Sequence, residues 1–316
     1  MDVAAIGELL IDFAPVDKTE QGYPVMAANP GGAPANFLAA LAKYGAETAF
    51  IGKVGNDTFG HLLANTISEA GISTEGLIIS DEAFTTLAFV TLDDKGDRSF
   101  AFARKPGADT QLKFEEIDLS LIDNAKVLHF GTLSLTDEPA RTATKKAVEY
   151  ARQNGKLISF DPNLRPPLWK DLEEAKGAIL WGLKQADVVK MSIEEVEFLW
   201  NCDALAAAEK LLGEFGAKLV FITLGAEGCY FENPICRGTA CYGGDLKVVD
   251  TTGAGDIFGG SAMSRILKFG IAPEELDMPQ LQSIADFACA AASLSTQKLG
   301  GISSLLPESE VLTAMK

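Results

Sequence analysis

Lys126-Val127-Leu128-His129-Phe130 is an apolar run of strand length, and Lys156-Leu157-Ile158-Ser159-Phe160 is another. Between them, residues 137–154 carry a helical pattern that closes on Gly155, where a left-handed residue ends a helix. A β-rich run, a helix signature and a second β-rich run make a βαβ unit, whose crossover sets the two strands parallel. The alternation continues outward on both sides. Strand-length runs fall at 3–11, 48–54, 188–191 and 218–223, and helix signatures at 34–44, 58–70, 172–184 and 204–215, with Gly45, Gly71 and Gly216 closing three of them. The expected fold is an α/β protein built on a mostly parallel sheet.

Two segments break the rhythm. Residues 22–28 and the pair 85–92 and 98–104, joined by Asp93-Asp94-Lys95-Gly96-Asp97, alternate as antiparallel strands do, and Gly96 suits a hairpin turn. They read as one small antiparallel sheet standing off the α/β body. Ligands of open α/β sheets bind beyond the carboxyl ends of the strands, so a small sheet placed there acts as a lid.

The 316 residues are 47% hydrophobic and 22% charged, enough to bury a large core without disulfide or metal. With 27 Lys and Arg against 44 Asp and Glu, the net charge is −17, and no basic cluster offsets it. That excludes nucleic acid and an anionic membrane surface as main partners. The N-terminus reads as a first strand and not as a signal peptide, and no apolar run approaches the ~20 residues of a membrane span. Five scattered cysteines without C-x-x-C pairs suit a reducing cytoplasm. Only His61 and His129 are present, in a helical and a strand pattern, and both read as structural.

The sharpest chemical feature is Asp250-Thr251-Thr252-Gly253-Ala254-Gly255-Asp256, which opens a helical run to Phe269. Small residues at a helix start leave backbone N–H groups free to converge on an anion, reinforced by the positive end of the helix dipole. Asp256 falls in the first turn, placed to take a proton from a hydroxyl that attacks a bound phosphate. A glycine-rich cap with Asp256 serving the dipole is the other reading of the same residues. Gly31-Gly32-Ala33-Pro34-Ala35-Asn36 also opens a helix, either as a close-approach site for a polar ligand or as a structural turn. Asp12 and Asp161-Pro162-Asn163-Leu164-Arg165 each follow a strand. Arg165 suits an anionic or hydroxyl-rich ligand, or a surface ion pair.

Together D-T-T-G-A-G-D at 250–256 and G-G-A-P-A-N at 31–36 resemble the two signatures of the ribokinase-like (PfkB-type) carbohydrate kinases. Gly7-Glu8-Leu9-Leu10-Ile11-Asp12-Phe13, Phe100-Ala101-Phe102-Ala103-Arg104 and residues 161–165 are similar to the fructokinase branch in particular. The resemblance runs along almost the whole chain. It implies a single domain over 1–316, a three-layer α/β/α fold with a β lid from about 22–28 and 84–104, and transfer of the γ-phosphoryl group of ATP to a sugar hydroxyl. Asp256 is then the general base, and the amides of Gly253, Ala254 and Gly255 form the anion hole. The sugar falls to Asp12, Gly31, Gly32, Asn36, Phe102, Arg104, Asp161 and Arg165.

For nucleotide and magnesium the resemblance points to Lys190, Ser192, Glu195, Thr223, Gly225, Gly228 and Cys289, with Ser192 standing where the family's N-x-x-E motif has Asn. For a potassium ion it points to Asp250, Thr252, Ser295, Lys298, Gly300 and Ser304. Lids of this family often pair between subunits, and Phe84, Leu87, Phe89, Phe100 and Phe102 would give this one an apolar face for a homodimer. D-fructose is the leading substrate. A kinase of 2-keto-3-deoxygluconate, ribose or a nucleoside uses the same machinery, and Arg104 and Arg165 could pair with a sugar-acid carboxylate. A non-catalytic sugar-binding module is the third reading.

Overall fold

The computed structural model describes residues 1–92 and 98–316. The expected turn at 93–97 lies outside them. The strands are β1 (Val3–Ile6), β2 (Leu10–Lys18), β3 (Pro24–Gly31), β4 (Thr48–Gly55), β5 (Ile72–Ser80), β6 (Leu87–Leu92), β7 (Arg98–Ala103), β8 (Val127–Gly131), β9 (Leu157–Asp161), β10 (Val188–Ser192), β11 (Leu219–Thr223), β12 (Cys229–Glu232) and β13 (Arg237–Ala240). The α-helices are α1 (Ala33–Lys43), α2 (Thr58–Glu69), α3 (Leu119–Asn124), α4 (Ala140–Gln153), α5 (Leu172–Leu183), α6 (Ile193–Trp200), α7 (Ala204–Gly213), α8 (Ala254–Phe269), α9 (Met278–Ser295) and α10 (Glu308–Ala314).

Nine strands form the large sheet in the order β13-β12-β11-β10-β9-β8-β1-β4-β5, parallel except at β12 and β13. Side chains alternate across a strand, and both faces of this sheet are covered. Val3 and Ala5 of β1 enter one core layer with Leu38, Ile257 and Ile284, while Ala4 and Ile6 enter the other with Val148, Ile179 and Leu211. Burial on both faces is why these strands read as unbroken apolar runs. The βαβ unit of 126–160 forms as expected: β8 and β9 pair in parallel, and Gly155 ends α4 at φ 70°.

The first apolar run, expected as one strand over 3–11, divides. Val3–Ile6 belongs to the large sheet, and the chain then turns and re-emerges as β2 in a second sheet of order β3-β2-β6-β7. Leu9, Leu10 and Ile11 are as buried as β1, so hydropathy continues across the turn and cannot mark the break. The small sheet is therefore larger than the segments expected from sequence, and within it β2 and β6 pair in parallel while the other pairs are antiparallel. Of the residues expected to give the lid an apolar face, Phe89 stacks on Phe13 at 5.2 Å and Leu87 packs against the core, whereas Phe84, before β6, is 78% exposed.

β1 lies between β8 and β4. The chain leaves it toward β4 and returns on its other side through β8, so the strand order reverses there and opens a crevice beyond the carboxyl ends. Helices α1 and α8 pack closely against each other on one side of that crevice. A Cβ on Gly260 would lie 2.3 Å from the Phe37 carbonyl oxygen and 2.8 Å from the Ala40 methyl. Gly260→Ala should therefore destabilise the protein: helix propensity favours Ala by about 1 kcal/mol, but overpacking against backbone costs about 1–3 kcal/mol. Urea unfolding reads the balance, and a midpoint at or above that of the parent chain would contradict it.

Candidate active site

A cavity of about 470 Å³ opens at the crevice. Its walls come from segments distant in sequence: Glu8 after β1, Asp12 of β2, Asn36 of α1, Phe102 of β7, residues 163–167 after β9, Lys190 of β10, and the start of α8. The carboxyl ends of parallel strands meet the N-termini of α1 and α8 here, which brings helix-dipole positive ends to one place.

Asp256 lies in the first turn of α8, whose N-cap Gly253 has a left-handed φ of 75°. Its Oδ2 accepts from Asn36 Nδ2 at 2.9 Å and its Oδ1 from Asn163 Nδ2 at 3.4 Å. Burial, helped by the nearby Asp161 charge, pushes its pKa up to about 7, while Asn36, Lys190 and Arg165 pull the other way. Lys190 Nζ donates to Asp161 Oδ2 at 2.9 Å. Burial alone would lower that lysine, but Asp161, Glu195 and Asp256 hold it above the usual range, so it is a fixed cation.

Several glycines are required by close approach. A Cβ on Gly255 would lie 2.8 Å from Lys190 Nζ, and one on Gly301 would lie 2.3 Å from Asn36 Oδ1. Gly253 and Gly255 line the cavity. Ala254 differs, since its N–H donates to the Thr251 carbonyl at 3.2 Å, which turns one of the three expected anion-hole amides inward.

Asp12, Gly32, Asn36, Phe102 and Arg165 of the expected sugar set line the cavity. Gly31 supports them: a Cβ there would meet Asp12 Oδ2 at 2.6 Å. Burial and the Asp250 charge push the Asp12 carboxyl up to about 6 against the pull of Arg165. Asp161 sits behind Lys190 as its ion-pair partner. Arg104 does not reach the cavity wall. Its Nη2 is 2.6 Å from Asp109 Oδ2 and donates to the Leu133 carbonyl, and its Nη1 donates to Thr136 Oγ1, so the guanidinium ties the end of β7 to the body.

Ser192 and Glu195 are brought together, though facing inward. Ser192 is the N-cap of α6, and Glu195 accepts from Ser192 N and from Leu164 N, both at 2.8 Å. The S-x-x-E spacing is thus a capping box that also holds the 163–165 loop. Thr223 ends β11, where it pairs with Ser192 in the sheet, and Gly225 and Gly228 occupy the turn that follows. Cys289 is buried, 3.7 Å from the Cys229 sulfur. Asp250 joins two loops by accepting from Thr252 N, Thr252 Oγ1 and Gly300 N at 2.7–2.9 Å. Ser295 and Ser304 turn their hydroxyls to the Ala292 and Gly301 carbonyls, and Lys298 is exposed.

Glu8, Asn29 and Asn163 are among the cavity residues that carried no expected role. Glu8, 2% exposed, accepts from Ala33 N at 2.9 Å and is pushed up to about 7 by burial. Asn29 donates to the Asp12 carbonyl at 3.3 Å, and Asn163 reaches Asp256. Glu8 and Asn163 stood inside stretches already singled out, but nothing in their spacing sets them apart from their neighbours. Asn29 pairs with Asp12 only through the β2–β3 register.

A half-buried carboxyl raised toward neutrality, beside a fixed cation and a helix N-terminus, and facing a cavity of amides and carboxyls, is equipped to deprotonate a hydroxyl beside an anion. The model of the pfkB family carbohydrate kinases matches residues 1–308, and the chain belongs to that family. Within it, the chain is 42% identical to fructokinase-2 of Solanum lycopersicum over 99% of its own length and 96% of the relative's. The structure of fructokinase with bound ATP from Xylella fastidiosa superposes with a TM-score of 0.88 at 30% identity, covering 99% of this chain and 98% of that one. A fructokinase double mutant from Vibrio cholerae O395, in its fructose-, ADP- and potassium-bound form, also gives 0.88 at 29% identity, covering 100% and 99%.

Proposed function

We propose that this carbohydrate kinase transfers the γ-phosphoryl group of ATP to a hydroxyl of D-fructose, with Asp256 as general base. The observation that carries the assignment is the Asp256 carboxyl, half-buried on the cavity wall where Asn36 and Asn163 meet the α8 N-terminus. The sugar hydroxyl gives its proton to Asp256 as its oxygen bonds to the γ-phosphorus, and the bond to the ADP leaving group breaks. Gly253 and Gly255 of α8, together with Lys190, offset the charge on the group in transfer. Asp12, Asn36, Gly32 and Arg165 orient the sugar, and Phe102 covers it from the small sheet, which serves as the lid of a single kinase domain over 1–316. Thr223, Gly225 and Gly228 flank the nucleotide.

Arg104 bears on the choice of substrate. With its guanidinium held by Asp109, the described cavity residues offer Arg165 and Lys190 against Glu8, Asp12, Asp250 and Asp256. A neutral polyol suits that lining better than a sugar acid, which favours fructose over 2-keto-3-deoxygluconate.

Among the described residues no cluster of three or more His, Cys, Asp and Glu could hold a metal, which fits magnesium arriving with the nucleotide phosphates. The Asp250 carboxylate and the carbonyls of the loops it joins fit a potassium ion, which would polarise the anion hole. No described helix is long and apolar enough to cross a membrane, and the five free cysteines agree with a cytoplasmic enzyme. The exposed Val16, Tyr23, Val25 and Phe84 support a homodimer through the small sheet.

Asp256→Asn should keep fructose binding and lose about 10²–10⁴ in kcat, read by a coupled ADP assay over a panel of sugars and sugar acids. Near-normal turnover would remove the assignment. The base acts deprotonated and titrates at about 7, so kcat/KM for fructose should fall as pH drops through 7 and level off above it. Replacing potassium by a non-binding organic cation should lower activity; unchanged rates would exclude the cation site. Solution scattering at micromolar concentration should give a dimer, and a monomer would count against the lid interface.

A further inference from the structure

We propose that Asn163 is a positioning residue for Asp256, its side-chain amide holding one carboxylate oxygen while Asn36 holds the other. The inference rests on the reading of Asp256 as the base. Asn36 Nδ2 lies 2.9 Å from Oδ2 and Asn163 Nδ2 lies 3.4 Å from Oδ1, the first from α1 and the second from the loop after β9. Two donors on the two oxygens, from separate elements, fix the plane of the carboxyl and leave each oxygen a further lone pair toward the cavity.

The loop around Asn163 is built to hold it there. Its φ of 45° is left-handed, a conformation that asparagine tolerates better than most residues but that remains sparsely populated. Contacts on every side impose it. The Asn163 N–H donates to Asp161 Oδ1 at 3.2 Å, the Pro162 carbonyl accepts from Thr132 Oγ1 at 2.5 Å and from Thr132 N at 3.2 Å, and Leu164 N donates to Glu195 Oε1 at 2.8 Å. Strain imposed this thoroughly at a cavity wall points to a role for the side chain it presents. The neutrality of the amide is part of that role. A lysine at this position would draw Asp256 down toward an ordinary carboxylate and weaken it as a base, whereas a neutral donor orients it and leaves it near neutrality.

A plain turn residue would be replaceable by glycine, which takes the same φ without cost. Asn163→Gly therefore keeps the backbone and deletes only the amide. Steady-state kcat and KM for fructose are measured across pH in the full-length Asn163→Gly and Asn163→Asp variants, with urea unfolding of both. With Asn163→Gly, kcat should fall about 10- to 100-fold, as expected for a displaced reacting group. The fructose KM should change far less. A lost donor disfavours the ionised carboxylate, so the acid limb of kcat/KM should move to higher pH. Asn163→Asp keeps the side-chain shape and adds a like charge, so it should move the limb further in the same direction.

An acid limb at its original pH in whichever variant folds would overturn the inference, as would a loss confined to KM. The two readings fail separately. Full turnover in Asp256→Asn removes the base itself, whereas an inactive Asp256→Asn beside an Asn163→Gly with unaltered kcat and pH profile removes only the role of Asn163.

Discussion

A half-buried carboxyl group, desolvated by the protein around it and set beside a fixed cation, is the constraint around which this site is arranged. Desolvation at the cavity wall pushes Asp256 up to about 7, where Asn36 and Asn163 donate to its two oxygens and the Lys190 charge acts on it. Glycine at 253, 255 and 301 leaves room for those side chains, and Gly260 lets α1 lie close to α8. The arrangement costs stability. An unfolded carboxyl loses its proton near 4 and the folded one near 7, so stability present below about 4 declines as pH rises through that window. Glu8 follows the same sign over the same window, and Asp12, raised to about 6, over a narrower one. Three cavity acids thus favour an open, polar pocket at the expense of the fold that contains it.

The net charge of −17 looks unsuited to a protein that handles triphosphate, yet the cavity gathers positive potential locally. Helix N-termini, backbone amides and Lys190 supply that potential at the cavity wall, and the acid excess on the surface bears on extended polyanions instead. Arg104 illustrates how position decides the use of a charge. The residue lies in a stretch similar to the sugar-facing lid of fructokinases, but Asp109, Thr136 and the Leu133 carbonyl surround its guanidinium. It anchors the end of β7 and supports Leu133 at the cavity wall.

Much of the fold was legible because a doubly covered parallel sheet writes itself as short apolar runs between helical patterns. The strands at 48–54, 126–130, 156–160, 188–191 and 218–223 and five of the helices fall within a few residues of their expected bounds. The split of the first run was not legible, since Leu9 to Ile11 stay buried as they change sheets. β12 and β13 are four-residue strands whose place depends on antiparallel pairing with β11, a relation of register that no local pattern records. Of the site, the glycine-rich helix starts announced themselves through composition. The S-x-x-E at 192–195 has a second meaning as a helix cap, and the structure takes it. Asn163 depended on a left-handed turn that only tertiary contacts impose.

The strand order carries a consequence for how the chain reaches this state. β1 is made first but sits between β4 and β8, so its second edge stays unpaired until residues 127–131 have been synthesised. The cavity waits longer still, because α8 must dock on α1 across more than two hundred residues of sequence. Pairings of such long range form slowly and leave apolar edges open to other chains in the interval. The pocket is therefore among the last features to assemble on the growing chain, and a nascent chain truncated before α8 would leave one face of the sheet only partly covered, by α1 and α2.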